Sequence, residues 1–128
     1  MAIKYKIVPR KNPQDFEAAP RYYARVVPTG KKTFRELSER VASHTTMSVP
    51  DTYGVLMALE EEIIVSLKEG TQIELGNICF LYPSLECESA ESEEAFTAVS
   101  NITKRGIRIR ARQGLVRQMA VVPVEKVS

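Results

Sequence analysis

The stretch SVPDTYGVLMALEEEIIVSLKEGTQIELGNICFLYP, residues 48–83, changes its hydrophobic period partway along, and that change decides the fold. Ser48 reads as a helix N-cap, Pro50 is tolerated in a first turn, and Asp51 suits the positive end of a helix dipole. Leu56, Leu59, Ile63 and Leu67 then recur at helical spacing, and Gly70 is placed to end the helix after about Lys68. Past Gly70 the pattern becomes that of a strand. Ile73, Leu75, Ile78, Phe80 and Tyr82 are expected mostly on one face, with a tight turn or bulge at Gly76-Asn77.

The helix carries more apolar surface than one neighbour can cover. Val55, Met57, Ile64 and Val65 lie well outside the leucine stripe. A helix apolar over so much of its girth needs packing on several sides, and one small sheet supplies only one. A second copy of the chain is the simplest source of the rest, so a homodimer is expected.

Working outward, Thr33 and Glu36 have the spacing of a capping box and open a shorter helix from Phe34 to about His44, with Phe34, Leu37 and Val41 on one face. Upstream, IKYKIV (3–8) alternates as a half-buried strand that Pro9 should end. A proline-rich loop follows, and RYYARVV (21–27) reads as a second strand. Downstream, SLECESAESEEAFTAVSN (84–101) is an acidic excursion expected to be a solvated loop, and IRIRAR (107–112) returns as a strand. GLVRQM suggests a short helical turn, and AVVPVEKV a last strand weakened by Pro123.

The net charge of +2 conceals a strong segregation. Residues 1–48 carry ten Lys/Arg against four acids, and residues 104–128 carry seven against one. Between them, residues 71–103 hold six glutamates and no base. Two basic segments enclosing an acidic middle point to an electrostatic partner or to internal pairing, and charge alone does not choose. No apolar run reaches the length of a membrane span, and the N-terminus has no hydrophobic signal core, so a cytoplasmic protein is expected. Cys79 and Cys87 form no CxxC and read as free thiols.

The basic stretch TKRGIRIRARQG (103–114) is the candidate site. Lys104, Arg105, Arg108, Arg110 and Arg112 crowd one strand, and arginine offers planar, bidentate recognition of phosphate. Three readings stay open: a phosphate platform, a solvated strand face, or arginines neutralised by glutamates of the same or a partner subunit. Lys4 and Lys6 could extend the footprint, as could Arg10, Lys11, Lys31 and Lys32, while Tyr22 and Tyr23 could stack on bases or pack a strand. Catalysis has little to stand on. His44 is the only histidine, Glu60–Glu62 point in different directions on a helix, and no phosphate-cradling glycine loop or metal-ligand spacing appears. The acidic excursion lacks the Asp-Gly spacing of a calcium loop. No enzyme activity, metal, cofactor or small-molecule substrate is expected.

The order of elements resembles a known family. FRELSERVASHTTMSVPDTYGVLMALEEEIIVSLKEGTQIELGNICFLY is similar to the HU/IHF family of bacterial DNA-bending proteins, and IRIRARQGLVRQM is similar to its last strand and terminal helix. The extension MAIKYKIVPRKNPQ…RYYARVV resembles the HU-like branch found in Bacteroidetes. The resemblance implies an α+β fold: a helical base, an antiparallel sheet with a β-arm, and an N-terminal strand extension. It also implies one domain over 1–128, divided into a β extension (1–32), a two-helix base (33–70) and a sheet, arm and C-terminal segment (71–128). The implied function is low-specificity DNA binding by a nucleoid-associated homodimer, with Lys104, Arg105, Arg108, Arg110 and Arg112 on the returning strand.

Two departures qualify what is carried over. The family's arms end in an Arg-Asn-Pro tip that wedges into the minor groove. Here the arm has Glu86, Glu88, Glu91, Glu93 and Glu94, and its only proline, Pro83, is at the base. Bending is therefore expected to be weak or absent. The alternative is an HU-fold structural or protein-interaction module that no longer binds DNA. The second departure is Ala111-Arg112-Gln113-Gly114, where the family has an aromatic residue and a proline before the glycine.

Overall fold

The computed structural model describes residues 1–127, and the chain divides into two compact units, Met1–Thr33 with the segment from Gln118 onward, and Phe34–Arg117. Each has its own three-stranded sheet. Among the described residues no helix is long and apolar enough to cross a membrane.

In the second unit, α1 (Phe34–Ser43) lies against α2 (Val49–Lys68). Ser48 caps α2 as expected, its hydroxyl accepting the Asp51 N–H at 3.2 Å. At the other end Gly70 adopts φ 85°, its N–H donating to the Leu67 carbonyl while the Thr71 N–H donates to that of Ser66. This is the left-handed stop that a residue with a Cβ adopts only at a cost.

Beyond the stop, β3 (Ile73–Leu75), β4 (Cys79–Cys87) and β5 (Ile102–Ala111) form an antiparallel sheet in the order β3-β4-β5. Gly76, at φ 53°, opens the turn, and the Ile78 N–H closes it on the Leu75 carbonyl at 3.0 Å. The turn corrects the expected facing. Ile78 sits in the turn, and the register pairs Ile73 with Leu81 and Glu74 with Phe80. Opposed residues share a face, so Ile73, Leu75, Cys79 and Leu81 occupy one side while Phe80 and Tyr82 occupy the other. The expected facing needs a one-residue shift at Gly76-Asn77, and the three-residue connection instead keeps the parity of an unbroken strand.

The acidic excursion is more ordered than a solvated loop. Strand β4 continues through Glu86 to Cys87, and α3 (Ala98–Asn101) leads into β5. The Asn101 side chain ties the two ends, donating to the Glu88 carbonyl at 3.1 Å and accepting the Thr97 N–H at 3.0 Å. Residues 88–97 alone lack helix or strand. The C-terminal turn is likewise longer than expected, an eight-residue helix α4 (Gln113–Ala120).

The first unit's sheet has the order β2-β1-β6, from β1 (Ile3–Arg10), β2 (Arg21–Val26) and β6 (Val124–Lys126). Strand β1 runs through Pro9, where the sequence predicts its end. Along β1 the Lys4 carbonyl accepts from Val27, whereas Ile3 and Tyr5 bond toward Pro123 and Val127 on the opposite edge. By alternation the nitrogen of Pro9 faces the β6 side, and β6 pairs only with Ile3–Tyr5. A missing N–H there leaves no ladder bond unmade, so the proline is accommodated.

Burial is sparse. Among the described residues the buried side chains are Ser38 and Thr52, and no apolar side chain is buried. Each of the two hydroxyls donates to a carbonyl four residues back, of Phe34 and Ser48 respectively.

Candidate nucleic-acid interface

The register of β4 against β5 sorts the basic residues onto faces. Lys104 opposes Glu86, Arg108 opposes Tyr82 and Arg110 opposes Phe80. All of these lie on one side of the sheet, with Gly106 and Ser84 between Lys104 and Arg108. Arg105 opposes Leu85 on the other side, with Ile107 and Ile109. There it lines a concavity of about 610 Å³ with Ile64, Leu67, Leu85 and Ile107. The sequence places five cations in one group, and the strand divides them.

Arg112 has a role of its own. It pairs with Glu74, donates to the Gly76 carbonyl at 2.9 Å, and holds its guanidinium 4.9 Å from the centre of the Phe80 ring. Its backbone N–H also donates to the Ile78 carbonyl. It therefore joins the end of β5 to the β3–β4 turn, in the region where an aromatic contact is absent from the sequence. Its charge is met by Glu74.

Among the described residues no arm glutamate forms an ion pair with β5, and Arg108 and Arg110 have no ion-pair partner. Self-neutralisation thus accounts for Arg112 alone. The exposed cations left on the face are Lys104, Arg108 and Arg110, beside the rings of Phe80 and Tyr82.

Lys4 and Lys6 belong to the first unit, on β1. In register, Lys6 opposes Arg25, Val8 opposes Tyr23 and Arg10 opposes Arg21. Arg21 and Arg25 are not among the candidates drawn from the sequence, although their signal is present: Arg21, Tyr23 and Arg25 alternate and so share a face. Cys79 and Cys87 are free. Among the described residues no group of three or more His, Cys, Asp or Glu is placed to hold a metal ion.

Residues 1–126 match the family described as an HU domain fused to wHTH, Ig or a glycine-rich motif. No curated protein matches the chain. Among solved structures, the fold resembles a Bacteroides vulgatus protein provisionally named a bacterial DNA-binding protein. The TM-score is 0.68 at 11% identity, over 98% of this chain and 48% of that one, so the chain spans about half of that protein's length. It also resembles the HU protein of Anabaena, crystallised with DNA, at a TM-score of 0.53 and 18% identity, over 72% of this chain and the whole of that one. With an α+β architecture, a helical pair before an antiparallel sheet with an extended β4–β5 arm, and a family match over nearly its whole length, the chain belongs to the HU-HIG family of HU domains.

Proposed function

We propose that the chain is an HU-like architectural DNA-binding protein of the bacterial nucleoid, acting as a homodimer. In this reading it is a single HU-like domain to which residues 1–32 add a β extension. Duplex contacts come from Lys104, Arg108 and Arg110, with Lys4 and Lys6 adding cations from the N-terminal sheet. The observation that carries the proposal is the face of β5, where these three cations lie together and, among the described residues, none forms an ion pair, although Lys104 stands opposite Glu86 in register. An unneutralised cation row suits a phosphate backbone, whose contacts fix position without reading sequence.

Unburied apolar surface supports the dimer. The chain exposes 11160 Å². A compact 14.4 kDa chain exposes roughly 6,800 Å² by the usual scaling. Division into two equal units raises that by about a fifth, to roughly 8,200 Å². The excess includes Val55, Met57, Ile64 and Val65 on α2 and Ile107 and Ile109 on β5, all exposed. A second copy set against these faces would provide the cover that a single chain does not.

The arm carries Glu86, Glu88, Glu91, Glu93 and Glu94 and no proline beyond Pro83. With like charge toward phosphate and no wedge at its tip, it supplies little bending. The same acidic arm favours a second reading, an HU-fold module whose partner is a protein. A fluorescent duplex of random sequence, titrated over a salt series, separates the two. Under the first reading, binding weakens steeply with salt and Arg108→Ala/Arg110→Ala lowers the slope by about two. Absence of binding at low salt supports the second.

A further inference from the structure

We propose that the N-terminal sheet is a second binding site, for single-stranded nucleic acid. It goes beyond the β5 reading and rests on Arg10, Arg21, Tyr23 and Arg25, with Lys6 the one cation it shares with the proposed duplex contacts. Along the β1–β2 ladder three successive same-face pairs are Lys6 with Arg25, Val8 with Tyr23, and Arg10 with Arg21. Two pairs of cations therefore flank one tyrosine, at steps of about 6.8 Å along the strands. Like charges directly opposed across a ladder are destabilising. Here that arrangement occurs twice on one face, and no ion pair among the described residues relieves either pair. An anion supplied from outside would relieve both.

The surface is also shaped. Arg10, Lys11, Arg21 and Tyr23 line a concavity of about 420 Å³ with Asn12 and Pro13. That volume falls within the roughly 300–1,000 Å³ of small-molecule sites. The loop forming its rim is held by its own hydrogen bonds: Asn12 Oδ1 accepts the Gln14 N–H at 3.0 Å, and Asp15 Oδ1 accepts the Glu17 N–H at 3.1 Å. Asp15 and Glu17 do not line the concavity. Tyr23 is about half exposed, so its ring is open to a partner.

Cations on both sides of an exposed ring match the repeating chemistry of a nucleic-acid strand, phosphate, base, phosphate. A duplex keeps its bases stacked inside, where Tyr23 does not reach them, whereas a single strand offers the face of a base. The cationic pairs extend to either side of Tyr23, so the ligand is a strand rather than a free mononucleotide. Bases stack on Tyr23, and the adjoining phosphates lie against Arg10 and Arg21 on one side and Lys6 and Arg25 on the other.

The test uses the full chain with a fluorescent oligothymidylate of about fifteen nucleotides, a random duplex, and thymidine monophosphate as competitor. Arg10→Gln/Arg21→Gln and Tyr23→Leu should each weaken oligothymidylate binding about ten-fold or more, while Tyr23→Phe stays within about two-fold of the parent. Duplex binding should keep its salt slope in all three. The arginine variant removes a like-charge pair and so should fold as well as the parent, which circular dichroism checks. Oligothymidylate binding that is unchanged in these variants, or lost only in Arg108→Ala/Arg110→Ala, overturns the site. Competition by the mononucleotide as strong as by the oligomer overturns the strand as its ligand. Arg10, Arg21 and Tyr23 are not among the proposed duplex contacts, and the Arg108→Ala/Arg110→Ala variant tests β5 by itself, so either site can fail without the other.

Discussion

Arg112 pairs with Glu74 across the first turn of the sheet and lies over the ring of Phe80, which makes it a brace rather than a free cation. Both charged side chains are partly exposed, at 30% and 58%, so the ion pair itself contributes no more than about 1 kcal/mol. The contact with the ring and the bond to the Gly76 carbonyl add about as much again. Arg112→Ala should therefore lower unfolding stability by about 1–2 kcal/mol in a denaturant titration. The salt slope of duplex binding should stay at the parent's value. A slope reduced by about one would assign Arg112 to phosphate contact instead.

Arg105 tests the division of the strand. It lies on the side opposite Lys104, Arg108 and Arg110, along the concavity shared with Ile64 and Leu67. Its aliphatic stem can cover apolar surface there while the guanidinium stays in water. Arg105→Ala should leave the duplex salt slope unchanged, whereas Arg108→Ala alone lowers it by about one. The two variants differ by three positions and have the same change in charge. A difference between their slopes is therefore a difference of face.

These two residues also show how far the sequence could be read. The helix start at Ser48 and its stop at Gly70 are local chemistry, and both stand where the residues put them. Alternation in IRIRAR marks a strand, and strand parity already separates Arg105 from Arg108. What parity cannot do is identify the partner across the sheet. Glu74 lies thirty-eight positions from Arg112, and only the three-residue turn at Gly76 and the register of β4 bring them together. Because that turn keeps strand parity, where a bulge would have shifted it, Phe80 stands on the basic face. Pro9 continues β1 for a related reason: whether a proline ends a strand depends on which edge its nitrogen faces, and here it faces away from β2, beyond the three residues that β6 pairs.

Dimerisation makes a separate prediction. Ile109 is 70% exposed on the apolar face of β5. On an ordinary surface its replacement by Asp would change stability by no more than about 0.5 kcal/mol. If a second copy covers it, Ile109→Asp buries an unpaired carboxylate at the interface and should convert the dimer to monomer in sedimentation equilibrium. The parent's melting temperature should rise with protein concentration, as mass action requires of a folded dimer. A parent that sediments as a monomer would remove the basis for this prediction.

The acidic arm supplies the last prediction. Glu88, Glu91, Glu93 and Glu94 are exposed, and they belong to or flank the segment between β4 and α3 that has no regular structure. Replacing the four with Lys leaves the hydrogen bonds of the Asn101 side chain intact, because those use the carbonyls of Glu88 and Ser89 and the N–H of Thr97. Stability should therefore change little. Repulsion from phosphate becomes attraction, so duplex affinity at low salt should rise, and the salt slope should steepen by about 0.9 for each lysine that reaches a phosphate. Bending is another matter. It needs an apolar wedge between base steps, and lysine provides none. End-to-end energy transfer on a doubly labelled duplex should show tighter binding with the duplex still nearly straight. A strong bend in the lysine variant would mean that charge alone, without a wedge, had been holding the arm off the DNA.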